Sequence, residues 1–287
     1  MRRKSPDIVF ALIFISDFLY VVYSQNLPLY IDSLLMEGKK VRAEYFKARD
    51  NPERYSLNQK FLNIITQIIE YDTGMRVDYE KTFKVKKTSI DSISIIHWNV
   101  PMEGENTLYY GFLIIEGRDR VVYQLNQCIK NTDVLESGIY GNDCWPSALY
   151  YYARKIFKNR KDTAFYLLLG WDGYGPISDR KIIEILCVSN YKIRWGSPVI
   201  KKGNSTLTRL VFEYYEGASF TMRWDENLGG IVFQDLAPLS PSLKDMQEYN
   251  VPVETYGLLK ETIYSLTLQE KADVRNPPQK HKFKRRR

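Results

Sequence analysis

Residues 108–125 read LYYGFLIIEGRDRVVYQL. Two runs rich in β-branched and aromatic side chains flank Gly117-Arg118-Asp119. Side chains that fit a pleated surface, interrupted by residues that tolerate a tight reversal, describe a β-hairpin. The same grammar continues outward. SISIIHWN (92–99) precedes it, and ALYYYARKIF (148–157), TAFYLLLGW (163–171), KIIEILCV (181–188), TRLVFEYY (208–215), SFTMRW (219–224) and GIVFQDL (230–236) follow. Turn residues punctuate the gaps at Asp172-Gly173, Gly203-Asn204, Glu216-Gly217 and Gly229. Short strands, short connections and no helical period between them predict an antiparallel meander rather than βαβ units. The expected fold is mainly β, with the meander over residues 76–270 arranged as a sandwich, a barrel or a propeller-like set of blades. A weak echo, Asp119-Arg120 and Asp179-Arg180 each between two strands, suits a repeated hairpin or blade.

Alternation assigns faces. Leu210, Phe212 and Tyr214 oppose Arg209 and Glu213, and Phe220, Met222 and Trp224 oppose Ser219, Thr221 and Arg223. These strands read as half-buried with one wet face. LYYGFLII and AFYLLLGW are apolar on both faces and read as central strands covered from both sides.

A helix is one candidate for that second cover. Ser56 and Gln59 make a capping-box pattern, and Phe61, Leu62, Ile64, Ile65, Ile68 and Ile69 then form one apolar face. Gly74 offers a stop. Upstream, Leu27, Ile31, Leu34 and Leu35 recur at helical spacing, Gly38 is expected to interrupt them, and Val41, Tyr45 and Phe46 resume. Residues 25–75 are thus expected to be helical. Residues 75–91 show no period.

The composition, 44% hydrophobic and 26% charged over 287 residues, excludes a disordered chain, and three cysteines exclude a disulfide scaffold. The net charge of +7 is unevenly placed. Six of the 41 basic residues lie in 280–287 and three in 1–24, where two of the 34 acids also lie; between them stand 32 bases and 32 acids. A formally neutral body speaks against a nucleic-acid groove. The terminal bases Lys280, Lys282, Lys284, Arg285, Arg286 and Arg287 follow Asn276-Pro277-Pro278. Residues 271–287 are expected to form a disordered tail, either a solvated end or an electrostatic tether to an anionic polymer or membrane surface.

The chain opens MRRK, then an apolar stretch from Ile8 to Tyr23, then Ser24-Gln25. That is the pattern of a signal peptide over residues 1–24, cut before Gln25, ahead of the alternatives of an uncleaved anchor or a buried helix. Export permits disulfides. Cys128 and Cys144 flank a loop-like stretch and are a candidate pair, with three free thiols as the equal alternative. Cys187 reads as a buried thiol in a strand.

Signals for chemistry are thin. His97 shares a strand face with Ile93 and Ile95 and reads as a core or edge histidine. Cys144 with His97 is the one thiol–imidazole combination worth testing. No cofactor-binding, metal-ligating or catalytic residues are assigned. Asp172, Glu184, Glu213 and Asp225 are placed in turns or on solvent-facing strand positions. A hydrolase would need such acids to meet in the fold. Aromatic residues reach 14%, with 22 tyrosines clustered at Tyr109-Tyr110, Tyr150-Tyr151-Tyr152 and Tyr214-Tyr215. Such faces suit carbohydrate or peptide contact, and equally an amphipathic cover of a sheet.

Several phrases of the second half resemble an uncharacterised family of exported, β-rich bacterial proteins: YLLLGWDG (166–173), RKIIEIL (180–186), WGSPVI (195–200), RLVFEYYEGASFTMRWDE (209–226), IVFQDLAPLSPSL (231–243) and DVRNPP (273–278). The resemblance covers roughly residues 144–278. EYNVPVETYG (248–257) departs from the Tyr-Gly-Pro stretch of similar proteins. The resemblance implies a signal peptide, a short helical region and no known catalytic residues. The expectation is an exported, non-enzymatic protein, periplasmic, envelope-associated or secreted. It would bind an envelope component or a partner protein and have no transmembrane span once mature. The alternative is a secreted hydrolase.

Overall fold

A computed structural model describes residues 29–104, 107–128, 136–157 and 163–274. The expected signal peptide over residues 1–24 and the bases from Lys280 to Arg287 lie outside the described residues. The chain divides between Val85 and Lys86 into a helical unit and a β unit.

In the helical unit, α1 (29–45) runs through Gly38 without a break. Gly38 is where two elements meet closely: a Cβ there would lie 2.8 Å from Phe83 Cε1 and 3.3 Å from Ile64 Cγ2. The expected interruption is therefore a packing position. Helix α2 (Asn51–Tyr71) starts five residues before Ser56. Asp50 is the cap, its carboxylate accepting from Glu53 N at 2.8 Å, and Glu53 Oε2 accepts from Arg49 N at 2.8 Å. The Asp-Asn-Pro-Glu sequence carries the stronger signal, since an acid caps the free N–H groups and Pro52 has no N–H to satisfy. At the other end Asp72 accepts from Arg76 N, Val77 N and the Tyr79 hydroxyl. That turn launches α3 (Tyr79–Phe83), within the stretch that has no period. Arg42 lies over the rings of Tyr45, Phe46 and Phe61 and donates to Phe83 O. Burial lowers its pKa to about 10.

The β unit is a stack of three sheets and not a closed barrel. The first sheet is a plain meander of β1 (Lys86–Ile90), β2 (Ile93–Val100), β3 (Leu108–Ile115) and β4 (Val121–Leu125). The middle sheet has β5 (Leu149–Ile156), β6 (Ala164–Asp172), β7 (Ser178–Ser189) and β11 (Leu210–Tyr215) in the order β11-β7-β6-β5, with β8 (Lys192–Trp195) also on β7. The third sheet has the order β10-β9-β15-β14-β13-β12. Its strands are β9 (Ile200–Lys202), β10 (Ser205–Leu207), β12 (Met222–Asp225), β13 (Gly230–Pro238), β14 (Asn250–Glu261) and β15 (Leu266–Gln269). One pair, β15 with β9, is parallel.

Alternation on β6 explains the stack. Phe165, Leu167 and Leu169 pack with Ile231, Phe233 and Leu259 of the third sheet. Tyr166 and Leu168 pack with Ile95, Leu113 and Leu125 of the first. The second cover of AFYLLLGW is thus another sheet, where the sequence offered a helix as candidate. The two hairpins of the Asp-Arg echo belong to different sheets, and Asp119-Arg120 lies in a turn while Asp179-Arg180 lies within β7. The layers are stacked rather than arranged as repeated blades.

Candidate functional site

The middle sheet holds the polar groups of greatest interest. β7 and β11 are paired antiparallel with Glu213 opposite Arg180 and Leu210 opposite Ile183. This register makes two ion pairs across the strands, Arg209 Nε to Glu184 Oε2 and Arg180 Nη2 to Glu213 Oε2, each at 2.7 Å. Arg209 and Glu184 are fully buried. The face of β11 expected to be wet is therefore the one turned toward the first sheet. Glu184 is not solvent-facing either. Burial raises its carboxyl pKa, against the pull of Arg209. Arg209 Nη1 also donates to Gly138 O at 3.0 Å, and the single Thr208 hydroxyl proton is shared between Glu136 O and Gly138 O, each 2.9 Å from Oγ1. The pair therefore pins the 136–140 segment.

That segment leads to Cys144, which the structure joins to Cys128 with a Cα–Cα distance of 5.0 Å. Cys128 N donates to Trp145 O, and Trp145 N to Asn126 O, so backbone bonds align the two cysteines. With its sulfur in a disulfide, Cys144 is no thiol nucleophile. His97 is fully buried, its Nε2 accepts from Tyr150 N at 3.1 Å, and its ring stacks on Trp145 at 6.4 Å. Tyr150 stacks on Trp195 at 6.0 Å. These aromatics fill the layer between the first and middle sheets. Cys187 is a buried free thiol.

The end of the middle sheet at the β6–β7 connection is different: aromatic, charged and partly open. Tyr151 is the extra residue of a bulge in β5. The bulge sends Tyr150 into one layer and Tyr152 toward the other, leaving Tyr151 38% exposed. Its hydroxyl donates to Met222 O, and the Lys181 ammonium lies 4.6 Å from its ring centre. Lys181 pairs in register with Trp171. Burial raises the Asp179 carboxyl pKa, with Glu216 and Asp172 adding to the rise. Burial lowers the Lys181 pKa, opposed by Asp179.

On the opposite face, Tyr174 lies over the Arg180 guanidinium at 3.1 Å. Asp172 is buried and hydrogen-bonded to the Tyr109 hydroxyl, which accepts from Gly173 N at 2.8 Å. Ile177 and Tyr215, each 39% exposed, complete this end. The 239–249 connection carries exposed Leu239 and Met246 and sets its 247–249 turn against β11. Asp225 serves elsewhere, accepting from Asn227 N and Leu228 N in the β12–β13 turn.

The tyrosine clusters marked this end in the sequence. Asp179 enters the sequence reading only as part of a turn and of the Asp-Arg echo, and Trp171 and Lys181 do not enter it as site residues, because strands 163–171 and 181–188 read there for their apolar residues. In the helical unit, a groove of about 590 Å³ lies between α1 and the α2–α3 connection, walled by Ile31, Leu35, Tyr71 and Val77. Among the described residues no cluster of three or more metal-capable side chains occurs, and no helix is long and apolar enough to cross a membrane.

No protein-family model, curated protein or solved structure matches this chain.

Proposed function

We propose that the mature protein is exported and works by binding. It holds an envelope polymer or a partner protein at the Trp171 end of the middle sheet. The observation carrying this reading is the partial exposure of Ile177 and Tyr215 at the β7–β11 strand end, where Glu216 N donates to Ile177 O, with Tyr151 partly exposed on the other face of the sheet. Of the acids at this end, Glu213 is engaged by Arg180 and Asp172 by Tyr109. Tyrosine suits such a surface because it presents a large apolar face with a polar tip. The resemblance to exported β-rich proteins and the signal-peptide pattern support the compartment. The basic residues from Lys280 to Arg287 add an electrostatic tether to anionic material.

The test is retention of the tagged mature protein on its native envelope. Ile177→Ser with Tyr215→Ser is expected to reduce retention at least about tenfold, with far-UV ellipticity showing that the fold is kept. Retention equal to wild type would remove the reading. Deleting residues 280–287 is expected to lower retention at low salt and to flatten its salt dependence. Mature protein should begin at Gln25 on N-terminal sequencing; a retained Met1 would refute cleavage.

One observation favours a second reading, the secreted hydrolase. Asp179 has a raised carboxyl pKa beside two other acids, which is how a general acid is made. Under that reading Asp179→Asn abolishes turnover of an envelope polymer and leaves binding intact. Under the binding reading there is no turnover to lose.

A further inference from the structure

Arg42 stands in the last turn of α1 and is 6% exposed. Its Cζ lies 4.6 Å from the ring centre of Tyr45, 4.8 Å from that of Phe46 and 5.3 Å from that of Phe61. The guanidinium makes one hydrogen bond, from Nε to Phe83 O at 3.3 Å. Nη1 is closed off from solvent and has no acceptor. Among the described residues no carboxylate pairs with this charge.

A buried charge normally has a partner of opposite sign. The other two buried arginines follow that rule, Arg209 with Glu184 and Arg180 with Glu213. Arg42 has aromatic rings instead. Their negative faces hold a cation, but they offer no lone pair to its in-plane N–H groups. The three rings are not equally enclosed. Tyr45 and Phe61 are buried, whereas Phe46 is 57% exposed. The same Phe46 ring has a second cation beside it, the Lys84 ammonium at 5.5 Å. Lys84 is itself exposed and follows Phe83, the residue whose carbonyl Arg42 binds. One exposed ring therefore has two cations at its border, and the inner cation lacks a counter-ion.

We propose that Arg42 is the receptor of an oxyanion-binding site in the helical unit, with Phe46 as its cover and Lys84 at its rim, and that the ligand is a carboxylate carried on an apolar body. The charge and shape of the receptor select it. With Nε taken by Phe83 O, the edge formed by Nη1 and Nη2 remains, and its parallel N–H groups match two oxygens of one anion. A change of the Phe46 rotamer opens that edge. Phosphate has the same oxygen spacing, but its second charge and bound water are costly to place among three rings. A carboxylate sets one negative charge against one positive charge, and its apolar body takes the place against Phe46. This inference does not rest on the Trp171 end, which lies in the β unit.

The test is titration calorimetry of the full chain, at fixed ionic strength, with benzoate, its neutral isostere benzamide and inorganic phosphate. Wild type is expected to bind benzoate saturably, at least about tenfold more tightly than either of the others. Arg42→Met is expected to lower benzoate affinity at least about tenfold and to erase the preference over benzamide. Arg42→Lys keeps the charge, loses the fork and should fall as far. Lys84→Met, an exposed change, should weaken binding about threefold. Far-UV ellipticity equal to wild type shows that the fold is kept, and if Arg42→Met does not fold, Arg42→Lys and Lys84→Met carry the test. An arginine that only supports the fold would leave the preference for benzoate over benzamide unchanged when replaced by lysine, and that result overturns the proposal. Absence of saturable benzoate binding to wild type overturns it too. So does benzamide binding as tightly as benzoate, which leaves an apolar pocket alone, or phosphate binding more tightly than benzoate.

Discussion

Replacing Arg209 by methionine probes the centre of the middle sheet. Methionine keeps an unbranched apolar chain in the same space and removes the charge. The Arg209 Nε to Glu184 Oε2 distance is 2.7 Å and neither side chain is exposed. With charge centres about 4 Å apart and an effective dielectric constant of about 20, the lost attraction is about 4 kcal/mol. Breaking one partner of a buried pair costs about 3–5 kcal/mol, which agrees. Against a typical total of about 5–15 kcal/mol, that is a large fraction of stability. The loss must also depend on pH. Burial holds the Glu184 carboxyl above its ordinary range even with Arg209 present, and without the guanidinium it moves further up. A carboxyl raised in the folded state contributes fully below its unfolded pKa of about 4.3. That contribution is lost as pH climbs through the folded value. The deficit of Arg209→Met is therefore smallest near pH 5 and grows toward pH 8. Urea unfolding followed by tryptophan emission reads it directly, because all five tryptophans, Trp98, Trp145, Trp171, Trp195 and Trp224, lie in the β unit. Pairing the change with Glu184→Met should recover more than half of the loss, since an apolar pair replaces a buried ionic one. A deficit below about 1 kcal/mol at pH 8, or one equal at pH 5 and pH 8, would refute the reasoning.

Three other substitutions test separate parts of the structure. Gly196 has φ +87°, and a Cβ there would lie 2.6 Å from both Gly138 O and Arg209 Nη2, so Gly196→Ala is expected to cost at least about 2 kcal/mol in the same urea assay. Cys128→Ser with Cys144→Ser opens a bridge of sequence separation 16 and should cost about 3 kcal/mol, with the variant insensitive to reductant and the wild type falling to its level when reduced. Gly38→Leu forces a side chain against Phe83 and Ile64. It should lower the stability of the helical unit by about 1–3 kcal/mol, read as earlier loss of far-UV ellipticity on heating.

Much of the local structure was legible from residue order. The pleat turns successive side chains to opposite faces, so LYYGFLII, AFYLLLGW and KIIEILCV announce themselves as strands, and the apolar residues on both faces of the first two announce central positions. Helix α2 was legible for the same kind of reason, through its 3.6-residue apolar period, though Asp50 and Glu53 set its start earlier than Ser56. Gly38 was misread because a glycine that breaks a helix and one that admits a neighbour are identical in sequence. The Tyr151 bulge was equally hidden: an inserted residue shifts the parity of a strand by one, and its partner strand, not its own composition, decides where.

The sequence by itself determined where nine of the strands lie, β2 to β7 and β11 to β13, though not β1, β8, β9, β10, β14 or β15; it also determined that the body between the two ends is neutral and that Cys128 and Cys144 flank one loop. The tertiary structure decided which face of each strand is buried. Period two separates two sides of a strand without saying which side meets another sheet. Arg209 and Glu213 looked like a solvated edge because charged groups usually are. Only the pairing of β11 with β7 sets them against Glu184 and Arg180, and that register depends on residues more than twenty positions away. The same holds at the Trp171 end, where Tyr151, Asp179 and Tyr215 come from three strands. Hydrophobic pattern is a local property of the chain, whereas burial and charge pairing belong to surfaces that exist only once distant strands have met.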